Sequence, residues 1–173
     1  METTAPKIVG PKDGDLGFLG SIGSRHMTDG DETEGRFSLV EHPMPPRALA
    51  APLHRHTRED EYSYVLEGRM GALLGDDVVY AEAGDYVYKP RNQWHTFWNA
   101  GDEPCRILEI ISPAGFEHFF RDLAALGGAA EATPEQMGEL CGRYSLEMQP
   151  ESIPGLLERF GLRMGERAEV LGF

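Results

Sequence analysis

One stretch of the chain has residue types and spacing suited to metal chemistry: His54-Arg55-His56-Thr57-Arg58-Glu59-Asp60-Glu61. Successive side chains of a strand alternate between its faces, so His54 and His56 on one strand point the same way and can offer two imidazoles to one ion. A carboxylate follows at Glu61, in the acidic run Glu59-Asp60-Glu61, and about 34 residues later His95 heads an aromatic segment, HTFWN. Three neutral imidazoles and one carboxylate make a mixed nitrogen and oxygen donor set of the kind that holds a divalent first-row transition metal and leaves positions for water or substrate. Singly, each element has a plainer reading. An HxH pair is commonly a satisfied or exposed pair, an isolated His between aromatics packs, and an acidic run makes a solvated turn. The joint spacing points to one site.

These residues need strands to position them. From Gly35 to Ala114 short apolar or aromatic segments alternate with turn signals: RFSLVEH, RALAAPLHRH, EYSYVLEG, RMGALLG, DVVYAEAG, DYVYKP, WHTFWN and CRILEIIS. Their lengths, with Gly75-Asp76-Asp77, Gly84-Asp85 and Asn99-Ala100-Gly101-Asp102 as interruptions, predict an antiparallel sandwich or barrel. After Ala114 the period changes. Phe116, Phe119, Phe120 and Leu123 lie on one helical stripe that ends near Gly127-Gly128. Thr133-Pro134-Glu135-Gln136 reads as an N-cap, a first-turn proline and a capping-box glutamine opening a second helix. A third is expected from Pro154 to Phe160, stopped by Gly161. The helical stripes are expected to pack on an open sheet face rather than to bind anything.

The run H-x-H-x4-E-x6-G is present as His54, His56, Glu61 and Gly68, and G-x5-P-x4-H-x3-N as Gly84, Pro90, His95 and Asn99. Together they resemble the two motifs of the cupin superfamily, with the short inter-motif segment Arg69 to Ala83 also typical. The resemblance covers roughly Phe37 to Ser112, and Asp31-Glu32-Thr33-Glu34-Gly35 is similar to the lead-in of small quercetinase-like bacterial cupins. Two family glycines are replaced here, by Ala48 and by Asn92, and Asn tolerates the left-handed conformation. The resemblance implies a mostly β fold, a double-stranded β-helix or cupin jelly-roll barrel, followed by C-terminal α-helices. It implies His54, His56, Glu61 and His95 as ligands of one divalent transition metal ion (Fe, Mn, Ni, Co, Cu or Zn). Of the carboxylates, Glu61 is preferred over Glu59 and Asp60 because it alone leaves six residues between itself and Gly68.

Strand parity then predicts the pocket. If Glu61 and His95 face inward, so do Ser63, Val65 and Phe97, with Met70 or Ala72 also near the ion. Tyr62, Tyr64, Trp94 and Trp98 face away, and His26, His42 and His118 have no spacing partner and no assigned role. The expected arrangement is an N-terminal arm or lid over 1–36 with one or two short strands, a barrel over 37–114 and a helical extension over 115–173.

The activity the resemblance implies is that of a metal-dependent dioxygenase acting on a small enolic or polyphenolic, flavonol-like substrate, with Glu61 also accepting the substrate proton. Isomerase, decarboxylase or lyase chemistry at the same ligands, or a non-enzymatic metal- or ligand-binding cupin, are the alternatives, because one fold hosts many reactions. Composition narrows the partners. At 173 residues, 40% hydrophobic and 26% charged, the chain has the make-up of one globular domain. The net charge of -13 is the wrong sign for phosphates or anionic lipid. No apolar run approaches the roughly 20 residues of a membrane span. The opening METTAPKIVG lacks a secretory pattern, so a cytoplasmic location is expected. Cys105 and Cys141 are too few for a disulfide framework and are expected to be packing thiols. Small cupins commonly pair, so a homodimer with a small-molecule substrate and no nucleic-acid or membrane partner is expected.

Overall fold

Along Cys105–Ser112 every second side chain is buried and the intervening ones are half-buried, the signature of a strand with one face on a core. The same alternation turns the predicted segments into strands. The computed structural model describes residues 7–164; 1–6 and 165–173, the outer ends of the expected arm and extension, lie outside the described residues. The strands are β1 (Asp15–Phe18), β2 (Gly23–Thr28), β3 (Ser38–Met44), β4 (Leu53–His56), β5 (Asp60–Glu67) and β6 (Arg69–Leu74). They continue with β7 (Asp77–Glu82), β8 (Tyr86–Lys89), β9 (His95–Asn99) and β10 (Cys105–Ser112). Helices α1 (Glu117–Ala125) and α2 (Pro134–Arg143), strand β11 (Leu146–Gln149) and helix α3 (Ile153–Phe160) complete the order.

The fold is mostly β. A six-stranded sheet of order β1-β2-β3-β10-β5-β8 faces a five-stranded sheet of order β11-β4-β9-β6-β7. The chain crosses repeatedly between the two, which makes a jelly-roll barrel. Residues 15–28, read from sequence as part of an arm, hold β1 and β2 and extend the six-stranded sheet through the pairing of β2 with β3. The segment after Ala114 is not purely helical. β11 pairs with β4, setting Leu146 opposite His56 and Met148 opposite His54. Four residues between two helices carry too little alternation to announce a strand, and β11 exists because the edge of β4 offers unpaired backbone groups.

Two apolar clusters hold the elements together. One fills the barrel and includes Val40, Met44, Val65, Met70, Ile107 and Ile111, together with Phe116, Phe119, Phe120 and Leu123 of the α1 region. The other lies on the outer side of the five-stranded sheet, where Trp98 meets Leu49, Leu73, Leu156 and Leu162. Phe160 of α3 stacks on Trp98 at 4.3 Å, so Trp98 packs outside the barrel as parity requires. Thr133 and Gln136 cap α2 reciprocally, with Thr133 Oγ1 accepting from the Gln136 backbone at 3.2 Å and Gln136 Oε1 from that of Thr133 at 2.9 Å. Helix α1 is fastened to the 3-10 turn Gly30–Thr33 region: Glu117, fully buried, accepts from the Gly30 backbone N–H at 3.0 Å, and Arg121 grips Asp29 with two bonds of 2.9 Å.

Gly71 stands beside the Trp98 ring, and a Cβ there would overlap the indole. Overpacking of this kind displaces an otherwise well-placed side chain. Gly71→Ala is expected to lower unfolding stability by about 1–3 kcal/mol, seen as an earlier urea midpoint at unchanged slope.

Candidate metal centre

The two sheets contribute different chemistry to the space between them. All the site imidazoles come from the five-stranded sheet, where His54 and His95 are direct cross-strand partners on β4 and β9 and His56 lies two residues on. The charged groups come from the six-stranded sheet. Glu61 on β5 pairs in register with Lys89 on β8, and Ser63 pairs with Glu109 on β10. The structure brings together His54, His56, Glu61 and His95, all buried, with one donor atom of each within 4.8 Å of the others. Donors sharing one ion at about 2.0–2.2 Å lie at most about 4.4 Å apart, so the four need only a slight contraction to meet on an ion.

Hydrogen bonding fixes which imidazole nitrogen faces the centre. His54 Nδ1 lies 2.8 Å from the Pro52 carbonyl oxygen and His95 Nδ1 3.0 Å from that of Gln93. A carbonyl can only accept, so each Nδ1 carries the proton and each Nε2 keeps its lone pair. Nε2 of His56 and of His95 are buried without a hydrogen-bond partner. They lie 3.4 and 3.3 Å from the two oxygens of Glu61. Burial, reinforced by the other imidazoles, pushes the His54 pKa well below 6.5; burial also lowers that of His95. Burial opposes ionisation of Glu61, but His56 and Lys89 outweigh it and hold the carboxyl well below its usual range. The His54 and His95 imidazoles with inward lone pairs, the unpartnered nitrogens of His56 and an ionised carboxylate fit a divalent cation.

Asp60 points instead to Arg91, which reaches it at 2.7 Å, and Glu59 is buried apart with its pKa raised by burial. Asn92 takes a positive φ of 66° at the position of the missing family glycine, and its backbone N–H donates to the His56 carbonyl at 2.7 Å, tying that loop to the ligand strand. Gly68 (φ 76°) closes the turn from β5 to β6 against the backbone of Pro104 and Cys105, where a Cβ has no room.

A cavity of about 70 Å³ opens over His54, His56 and Glu61. Phe97 lines it, and Ser63 and Val65 do not. Ser63 is turned beneath the floor, where its hydroxyl donates to Glu109 at 2.9 Å, while Val65, Met70 and Ala72 belong to the barrel core. Inward parity put these side chains in the barrel but could not say at which depth. The lining also holds residues that sequence spacing left without a role: His42, Glu109, Phe116, Phe119 and Phe120. Phe116 meets His56 edge-on at 4.2 Å, so the aromatic stripe expected to be plain packing also roofs the site. Lys89, with no side-chain exposure, lies 3.0 Å from Glu61 and 2.8 Å from Glu109. Both charges stand on otherwise apolar inward positions, Val87-Lys89 and Ile107-Glu109-Ile111, and that break in pattern is the signal that could have found them. His26 is buried away from the ligands and His118 is exposed.

Residues 41–111 match a family model described as the cupin domain. This segment is similar to the cupin domain, and the jelly-roll fold around it agrees with that likeness. Among relatives, a tetracenomycin polyketide synthase protein, TcmJ of Streptomyces glaucescens, is 32% identical over 60 residues, which is 35% of this chain and 40% of TcmJ. The matches span less than half the length of the curated relatives. The solved polyketide cyclase RemF from Streptomyces resistomycificus is 29% identical with a TM-score of 0.53, covering 62% of this chain and 79% of RemF. A predicted oxalate decarboxylase from Thermotoga maritima has a TM-score of 0.58 at 18% identity, covering 62% of this chain and 99% of its own, and shares the fold. Among the described residues no helix is long and apolar enough to cross a membrane.

His42, which lines the same cavity, hydrogen-bonds through Nδ1 to the Gly23 carbonyl oxygen at 2.8 Å. Burial pulls its pKa from 6.5 down to about 4, and the charge of Lys89 adds to the effect. Between those values the unfolded chain binds a proton that the folded one refuses, so stability falls as pH drops from 6.5 towards 4, by up to about 3 kcal/mol from this group. In His42→Gln the loss of stability between pH 7 and pH 4.5, measured by urea unfolding, is expected to shrink by at least about 1 kcal/mol.

Proposed function

We propose that this protein is a metal-dependent enzyme that converts a small enolisable or phenolic molecule, with Glu61 as the base that receives its proton. The observation that carries this reading is the convergence of three imidazoles and an ionised carboxylate beneath an aromatic roof. A divalent ion held by His54, His56, Glu61 and His95 would supply a Lewis acid for a developing enolate or phenolate oxygen. Glu61, buried and ionised, can take the substrate proton onto a carboxylate oxygen, while Phe97, Phe116, Phe119 and Phe120 exclude water and pack against a planar substrate.

Cavity size bounds the substrate. Drug-sized ligands occupy sites of about 300–1,000 Å³, far above the 70 Å³ here. The pocket in this form suits a small enolisable or single-ring compound, and a flavonol-sized one requires displacement of the Phe116–Phe120 roof. Proton removal is the step shared by dioxygenation, which the sequence resemblance implies, and by oxygen-independent cyclisation, isomerisation or decarboxylation. The likeness to the polyketide cyclase RemF favours the oxygen-independent fate. Oxygen uptake measured alongside product formation, over a panel of 1,3-dicarbonyls, phenols and flavonols, decides between them. A metal-loaded protein inert to the whole panel would overturn the enzymatic reading in favour of a metal- or ligand-binding cupin. Assembly as a homodimer belongs to the same proposal, with sedimentation at micromolar concentration as its check.

The purified chain is expected to bind one divalent ion per protomer, and His54→Ala combined with His95→Ala to abolish it, by elemental analysis. For Glu61→Gln, refilled to matched metal occupancy, turnover is expected to fall by at least about 100-fold, because an amide cannot accept the proton. Near-normal turnover at equal occupancy would remove Glu61 as the base.

A further inference from the structure

Beneath the imidazoles lie two charged residues that the proposed reaction does not use, Lys89 and Glu109. Lys89 Nζ is shared between Glu61 Oε2 at 3.0 Å and Glu109 Oε2 at 2.8 Å, and stands 4.5 Å from the centre of the Phe97 ring. Glu109 is held from its other side by the Ser63 hydroxyl at 2.9 Å. The set arises from register: Lys89 faces Glu61 across β5 and β8, and Glu109 faces Ser63 across β5 and β10. Lys89 is wholly enclosed and so cannot swing its ammonium into water.

We propose that Lys89 is a positioning residue that competes with the metal for Glu61, so that Glu61 is kept as a detachable ligand. This rests on the metal reading of His54, His56, Glu61 and His95. Charge that a carboxylate shares with an ammonium is not available to a cation on its other side, and a fixed positive charge beside the site repels a divalent ion. A buried carboxylate off the metal would also be left unpaired, a state that buried charges avoid. Lys89 removes that obstacle by remaining as its partner. Glu61 can therefore act in turn as ligand and as base. Glu109 anchors Lys89 from behind and limits how tightly it grips Glu61.

The alternative is that Lys89 only neutralises Glu109 or braces Glu61, in which case its removal leaves metal affinity unchanged or weakened. The two differ in sign. Lys89→Met/Glu109→Gln removes both charges together, so that Glu109 is not left as an unpaired buried carboxylate and Glu61 keeps only the imidazoles and the metal as partners. Its zinc and cobalt(II) affinities, measured by competition with a chromophoric chelator, are expected to be at least about tenfold tighter than those of the unmodified protein, within the range that partners of metal ligands command. Glu109→Gln alone frees Lys89 to bind Glu61 exclusively and is expected to weaken metal binding. Lys89→Met alone should tighten it like the double variant. Unchanged or weaker affinity in the double variant overturns the proposal while leaving the metal site intact. An unmodified protein that takes up no stoichiometric metal overturns both, so the two failures are distinguishable.

Discussion

The structure depends on keeping an ionised carboxylate, Glu61, fully buried between two sheets. An isolated carboxylate taken out of water is so unfavourable that it normally neutralises or acquires partners. Here the partners come from both directions: imidazoles from the five-stranded sheet and the Lys89 ammonium from the neighbouring strand of the six-stranded sheet. Charge is segregated by sheet, so neither sheet alone makes the site. Sheet-to-sheet packing and site assembly are one event.

The elements outside the cupin segment serve that event. β11 pairs with β4 and steadies the strand that carries His54 and His56. Helix α1 is fastened by Glu117 and Arg121 to the turn after β2, and with Phe116 at its N-cap it lays three rings over the imidazoles. α3 covers Trp98, which belongs to β9, the strand that also bears His95. The flanking segments, less regular in sequence than the barrel, supply the dry roof and rigid backing that make a buried polar cluster usable for chemistry.

Apolar barrel interiors punish unpaired charge, so a second buried carboxylate and a lysine among valines and isoleucines need an explanation. Burial pushes Glu109 up to about 7 even with Lys89 beside it, whereas the pKa of Lys89 is raised because its two carboxylates outweigh burial. Cys105 shows the opposite case of burial without a compensating charge, which drives its thiol to about 12.

Local rules in the sequence determined much of this. Period-2 alternation made the strands from Ser38 to Ser112 and the Thr133-Gln136 pair opened α2, because each of these is settled by backbone geometry within a few residues, whereas the preference for Glu61 over Glu59 and Asp60 rested on the resemblance to a family motif. Parity placed Phe97, Ser63 and Val65 inside the barrel. Only the tertiary structure decided that Phe97 faces the cavity, that Ser63 turns beneath it and that Val65 fills the core, because depth along a barrel axis is set by strand register and shear between residues far apart in sequence. The same holds for β11, for the aromatic roof and for Lys89 between Glu61 and Glu109: each is a contact across elements, and no local pattern encodes which inward side chains will meet.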